Sequence, residues 1–155
     1  MNRLTDVNTI ARLTAIKREE LDRYRQDLVR LEKIVDGERK CFQAAREAEI
    51  DFLDEARRAE AVRRTLDALA MIERRRYLTH LQNSREKQQT ALEQAIKQRD
   101  QAQRCLEAAF TEIRSLERLA ERRLDRIHSE NQRLEYKRAD DLELTNNMHR
   151  RSTHA

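Results

Sequence analysis

Between Met1 and Ala155 there is no proline and a single glycine, Gly37. Tight turns draw heavily on those two residue types. A chain almost without them must put its regular structure into long uninterrupted pieces. Charged residues make up 40% of the sequence and aromatic residues 4%, whereas globular domains are roughly a quarter charged. Such charge with regularly spaced apolar residues marks an extended helical protein, which buries a seam instead of a core. Disorder is the competing reading of this composition. It is disfavoured because disordered chains are rich in Pro, Gly and Ser and their apolar residues follow no period.

The period is explicit. From Leu21 the apolar residues recur at alternating steps of three and four: Leu21, Tyr24, Leu28, Leu31, Val35, then Phe42, Ala45, Phe52, Ala56 and Ala59. Glu38 and Glu49 interrupt the stripe at two seam positions. A second stripe runs Leu92, Ala95, Ala102, Leu106, Ala109, Ile113, Leu116, Ala120, Ile127, Leu134. Sustained spacing of this kind with charged flanks is the coiled-coil signal. Before Leu21 the pattern Ile10, Leu13, Lys17 drifts toward an eleven-residue repeat, which predicts a local change of supercoil.

Gly37 is not where the chain turns, because the apolar period keeps phase across it and a helical glycine costs only about 1 kcal/mol. The better break lies near "AVRRTLDAL". Thr65 is placed to cap a helix starting at Leu66, with Asp67 in its first turn and Arg63 and Arg64 at the preceding C-terminus. The expectation is an all-α fold, a long antiparallel two-helix coiled-coil hairpin with an overhanging C-terminal helix. Its limits are helix 1 at about 4–63, a turn at about 60–67, helix 2 at about 66–145 and a disordered tail at about 146–155. Antiparallel partners then have residue numbers summing to about 130, over a hairpin about 90 Å long. Leu21 faces Ala109, Leu28 faces Ala102, Val35 faces Ala95, Ile10 meets Ala120, Tyr24 meets Leu106, and Phe52 meets Tyr77 and Leu78. Large residues fall opposite alanines, as interdigitating layers require. Residues after about His128 extend beyond the pairing as a helix of their own.

Charge and chemistry narrow the function. The formal net charge is +4, but the signs interleave, as on a solvated, salt-bridged helical face. No repeated aromatics offer base stacking and no purely basic region precedes a zipper, so nucleic-acid binding has no support. No apolar run reaches the ~18 residues of a membrane span, so no membrane insertion is expected. "MNRLTDVNTIARL" is too polar for a signal peptide, and Cys41 and Cys105 read as reduced thiols of a cytoplasmic protein. In the expected register they lie roughly 24 Å apart along the hairpin, too far for a disulfide. His80, His128, His149 and His154 are scattered without metal-ligand spacing. One glycine makes no phosphate loop, and two helices offer no desolvated cleft. The expectation is a non-enzyme without cofactor or metal.

The segment after the turn, "RRRYLTHLQNSREKQQ", concentrates what is distinctive. From Arg57 to Arg76 seven arginines stand against Glu60, Asp67 and Glu73, a net of +4 equal to the formal excess of the whole chain. The chain resembles the FliJ/YscO (SctO) family, the central stalk proteins of flagellar and injectisome type III secretion systems. Size, glycine-poor charged composition and a single hairpin carry the resemblance. So do an aromatic early in the second helix, Tyr77, an aliphatic four residues on, Leu81, the polar run "SREKQQTAL", and a longer charged C-terminal helix. The resemblance implies a rod whose terminal ends enter the pore of a hexameric export ATPase while its loop end reaches the ring of an export gate, with secretion chaperones as further candidate partners. It also implies gate contacts for Tyr77, Leu81 and Ser84. Gln88 stands where the family pattern has a histidine. Arg74, Arg75 and Arg76 join this candidate surface by their charge. Tyr77 has a second reading, as a seam residue packed on Phe52. The rival to a stalk coupling ATPase to gate is a self-associating adaptor forming long parallel dimers.

Overall fold

In the computed structural model, residues 3–62 and 67–152 are described. They form two helices and no strand: α1, Arg3–Val62, and α2, Ala68–Ser152. Asp6 in the first turn of α1 favours the helix dipole. Among the described residues none has positive φ and no peptide bond is cis.

The expected cap Thr65, the first helical residue Leu66, and Arg63 and Arg64 lie outside the described residues. Asp67 does the capping that was assigned to Thr65. Its Oδ1 accepts the Leu69 amide at 3.1 Å and its carbonyl accepts the Met71 amide at 3.1 Å. An aspartate at N-cap satisfies an amide that the helix leaves without a partner and adds negative charge at the positive end of the dipole. At the other end, the segment at about 146–155 expected to be disordered is helical through Ser152.

The helices form two compact units. In the first, described residues up to Leu21 pack with those from Ala108 onward. Ile10, Thr14 and Leu21 are buried on α1, and Ala109 and Ile113 on α2. Among the described residues of this unit, ion pairs join the helices at Asp6 to Arg123, 3.0 Å, Lys17 to Glu112, 3.0 Å, and Arg18 to Glu117, 2.7 Å. Lys17 also reaches Glu20 at 3.0 Å. Hydrogen bonds to Glu20, then Glu112, hold its ammonium above the usual lysine range.

The expected drift before Leu21 is corrected here. Thr14, not Leu13, takes the buried position, and Leu13 is 46% exposed. The Thr14 hydroxyl donates to the Ile10 carbonyl at 2.8 Å, so a polar residue enters the seam with its hydrogen bond made. Ile10, Thr14, Lys17 and Leu21 then keep the same four-three-four steps found further along α1.

The second unit is Asp22–Glu107. Val35, Leu81 and Ala95 are buried, with Tyr24, Leu28, Leu31, Phe42, Ala45, Phe52, Leu78, Leu92, Ala102 and Leu106 half-buried. The Phe52 and Tyr77 rings meet edge-on, centroids 4.9 Å apart. Glu49, 7% exposed, pairs with Arg85 at 3.1 Å. In both units partner numbers fall along α2 as they rise along α1, the antiparallel sense of a helical hairpin. Asp6–Arg123, Lys17–Glu112 and Phe52–Tyr77 each sum to about 130, as short-linked antiparallel helices require.

Gly37 lies inside α1, and a Cβ built there meets nothing within 4 Å. Gly37→Ala therefore removes a backbone entropy cost without a clash. Chemical denaturation should show a gain of about 0.5–1 kcal/mol; a loss would mean the helix does not run through this position. The Glu49–Arg85 pair gives a second test. Arg85→Ala leaves a buried carboxylate without its cation, and unfolding should show a loss of about 1–3 kcal/mol. Replacing both residues by leucine should recover most of that loss, because well-packed apolar pairs substitute for buried ion pairs.

Candidate docking surface at the start of α2

The first turns of α2 combine positive charge with apolar exposure. Arg75 and Arg76 are exposed and Arg74 is half-buried. None of the three forms an ion pair among the described residues. Their charges are thus available to a partner. Met71 and Ile72 are each 50% exposed and Leu69 is 63% exposed. Ile72, Arg75, Arg76 and Thr79 line a shallow open depression. The Thr79 hydroxyl donates to the Arg75 carbonyl at 3.0 Å, so its polar group is satisfied within the helix.

Tyr77 is both packed and exposed. Its ring sits edge-on to Phe52 of α1 and tilted over His80, centroids 6.4 Å apart, yet the residue is 51% exposed. Edge-to-face pairs add about 0.5–1.5 kcal/mol beyond the area they cover. Half of the residue still faces solvent.

The other expected contacts lie differently. Leu81 is buried at 9% exposure, and Ser84 and Gln88 are half-buried. The steps of four, three and four from Tyr77 through Leu81, Ser84 and Gln88 put all four residues on one face of α2. Burial shows that this face turns toward α1 along most of its length. Leu81 supports the seam and Tyr77 is the member of the row that reaches outward. The exposed surface of these turns therefore includes Tyr77, Arg75, Arg76 and the apolar trio Leu69, Met71 and Ile72, with Glu73, Thr79 and His80 beside them. Sequence reasoning missed that trio. The signal was present in "LDALAMIERRRY", where the apolar residues crowd around the helix instead of keeping to one stripe.

Cys41 is exposed and Cys105 half-buried, both as free thiols. Among the described residues no cluster of His, Cys, Asp or Glu could hold a metal ion, and no helix is long and apolar enough to cross a membrane. Comparison with protein-family models, with curated proteins and with solved structures gave no match.

The differing burial of Tyr77 and Leu81 is measurable. Leu81→Ala should destabilise the protein by about 2–4 kcal/mol and Tyr77→Ala by about 1–2 kcal/mol, since only part of the tyrosine leaves a packed environment. Thermal melts showing the reverse order would contradict these placements.

Proposed function

We propose that the protein is a non-enzymatic central stalk of a type III secretion export apparatus, linking a hexameric export ATPase to an export gate ring and promoting protein export. The observation that carries the reading is the start of α2. There an aromatic is braced on the partner helix while half exposed, beside arginines that form no ion pair among the described residues. Interface anchors are commonly aromatic or arginine residues held rigid before the partner arrives. The polar run after Tyr77 and the hairpin support the same reading through the family resemblance.

A second exposed surface supports it. Residues 129–148 of α2 are exposed without exception, including Leu134, Tyr136, Leu142, Leu144 and Met148. In the proposal this overhanging helix serves the ATPase, the start of α2 serves the gate, and secretion chaperones compete for the exposed faces. The protein acts on the cytoplasmic side of the apparatus. A helix transmits a displacement along its axis because each turn is hydrogen-bonded to the next.

Co-purification with candidate export ATPases is the direct test. Replacing Arg74, Arg75 and Arg76 together by alanine should weaken binding to the gate ring at least tenfold while leaving ATPase stimulation within twofold of wild type. Equal loss of both activities at unchanged helicity would contradict two separate binding surfaces. Full retention of both would return the arginines to plain solvation.

A further inference from the structure

The exposed C-terminal part of α2, which the stalk reading gives to the ATPase, has a further property of its own. At 100° per residue, Leu119, Arg126, Glu130, Leu134, Lys137, Asp141, Leu144 and Met148 fall within about a third of the helix circumference. All are exposed. Read backwards against itself, this face is complementary. With residue numbers summing to about 267, Leu119 meets Met148, Arg126 meets Asp141, Glu130 meets Lys137, and Leu134 lies beside the symmetry axis. Asp140, next to Asp141, adds a second carboxylate opposite Arg126, and Arg122 lies one turn further along that arginine's face. Between Ala139 and Met148 there are three carboxylates and no cation. Arg122, Arg126, Asp140 and Asp141 form no ion pair among the described residues.

We propose that this face is a docking surface for a second copy of the chain, which pairs antiparallel through the segment from Leu119 to Met148. In a twofold arrangement every contact occurs twice, so each opposite-charge pair counts double. The paired stretch is about 45 Å long. It continues from an apolar groove in the same unit, formed by Leu13 of α1 with Ala108, Ser115 and Leu119 of α2. A partner of unrelated sequence has no reason to match this row, whereas the row matches its own reverse in charge at Arg126–Asp141 and Glu130–Lys137 and in apolar character at Leu119–Met148, with Leu144 opposite Arg123. Like charges would meet in a parallel pairing, where Arg126 faces Arg126 and Asp141 faces Asp141. The arrangement thus differs from a parallel dimer built through the main seams. It occupies the surface that the stalk reading gives to the ATPase, so the two contacts compete there, while a failure to dimerise would leave that reading untouched.

The test uses the full chain in sedimentation equilibrium. Wild type should dimerise, and more weakly as salt rises, because exposed pairs are screened. One variant carries Arg122→Glu with Arg126→Glu; the other carries Asp140→Lys with Asp141→Lys. Each alone should raise the dimer dissociation constant at least tenfold, with helicity by circular dichroism unchanged. Mixed in equal amounts the two should associate as a heterodimer with near wild-type strength, because reversed charges then face reversed charges. A chain carrying all four changes should recover self-association in the same way. Wild type that stays monomeric up to about 100 µM, too weak for a specific interface, would overturn the proposal. So would variants that dimerise like wild type, or a mixture that fails to restore association.

Discussion

The whole structure depends on one stripe of side chains along each helix. An isolated amphipathic helix gains little in water, and most helical stability in proteins comes from packing its apolar face. Among the described residues there is no third element, and the buried stripes of α1 and α2 meet each other within each unit. The seam is narrow, and its members alternate between large residues such as Val35 and Leu81 and small ones such as Ala95 and Ala109. Small opposite large lets two helices approach without leaving voids. It also limits how much apolar surface each step can bury, which is why no large side chain is fully enclosed.

That limit gives polar seam residues a second role. Glu49 looked like an interruption of the stripe, yet it is among the most buried residues and draws Arg85 across to it. A purely apolar seam tolerates slippage, because neighbouring registers bury nearly as much. A charged pair within it does not, since a slipped register leaves a carboxylate without its cation. Thr14 and Lys17 act similarly in the first unit, one bonded to its own helix and the other held between Glu20 and Glu112. Arg85 keeps one buried donor, Nε, without an acceptor. The geometry that serves Glu49 does not satisfy the whole guanidinium.

The exposed surfaces follow from the same economy of elements. Two helices that cover one stripe each leave the rest of their circumference to solvent, so any further function must be carried by exposed rows. The start of α2 and its C-terminal part are two places where such rows hold aromatic or aliphatic side chains together with charge. Elsewhere the exposed face is mostly charged, often in pairs three residues apart such as Asp22–Arg25, Asp27–Arg30 and Asp36–Arg39. Pairs of that kind keep a helix soluble and contribute only tenths of a kcal/mol each.

By itself the sequence determined that the described residues are helical and that their two helices run as an antiparallel hairpin. Helical periodicity is a local property, and without proline or a second glycine nothing competes with it. It also offered a register, large residues opposite alanines at a sum of about 130, near which Asp6–Arg123, Lys17–Glu112 and Phe52–Tyr77 fall. What only the tertiary structure decided was the fate of individual side chains that periodicity treats alike. Leu13 and Thr14 are neighbours in sequence, and apolarity favoured Leu13 for the seam. The partner helix and a hydrogen bond to Ile10 put Thr14 there instead. Tyr77 and Leu81 share a helical row, but Leu81 lies under α1 while Tyr77 reaches past Phe52 into solvent. Glu49 became a buried partner of Arg85 rather than a break. Each outcome depends on which atoms of the other helix stand opposite, and spacing along one helix does not contain that information.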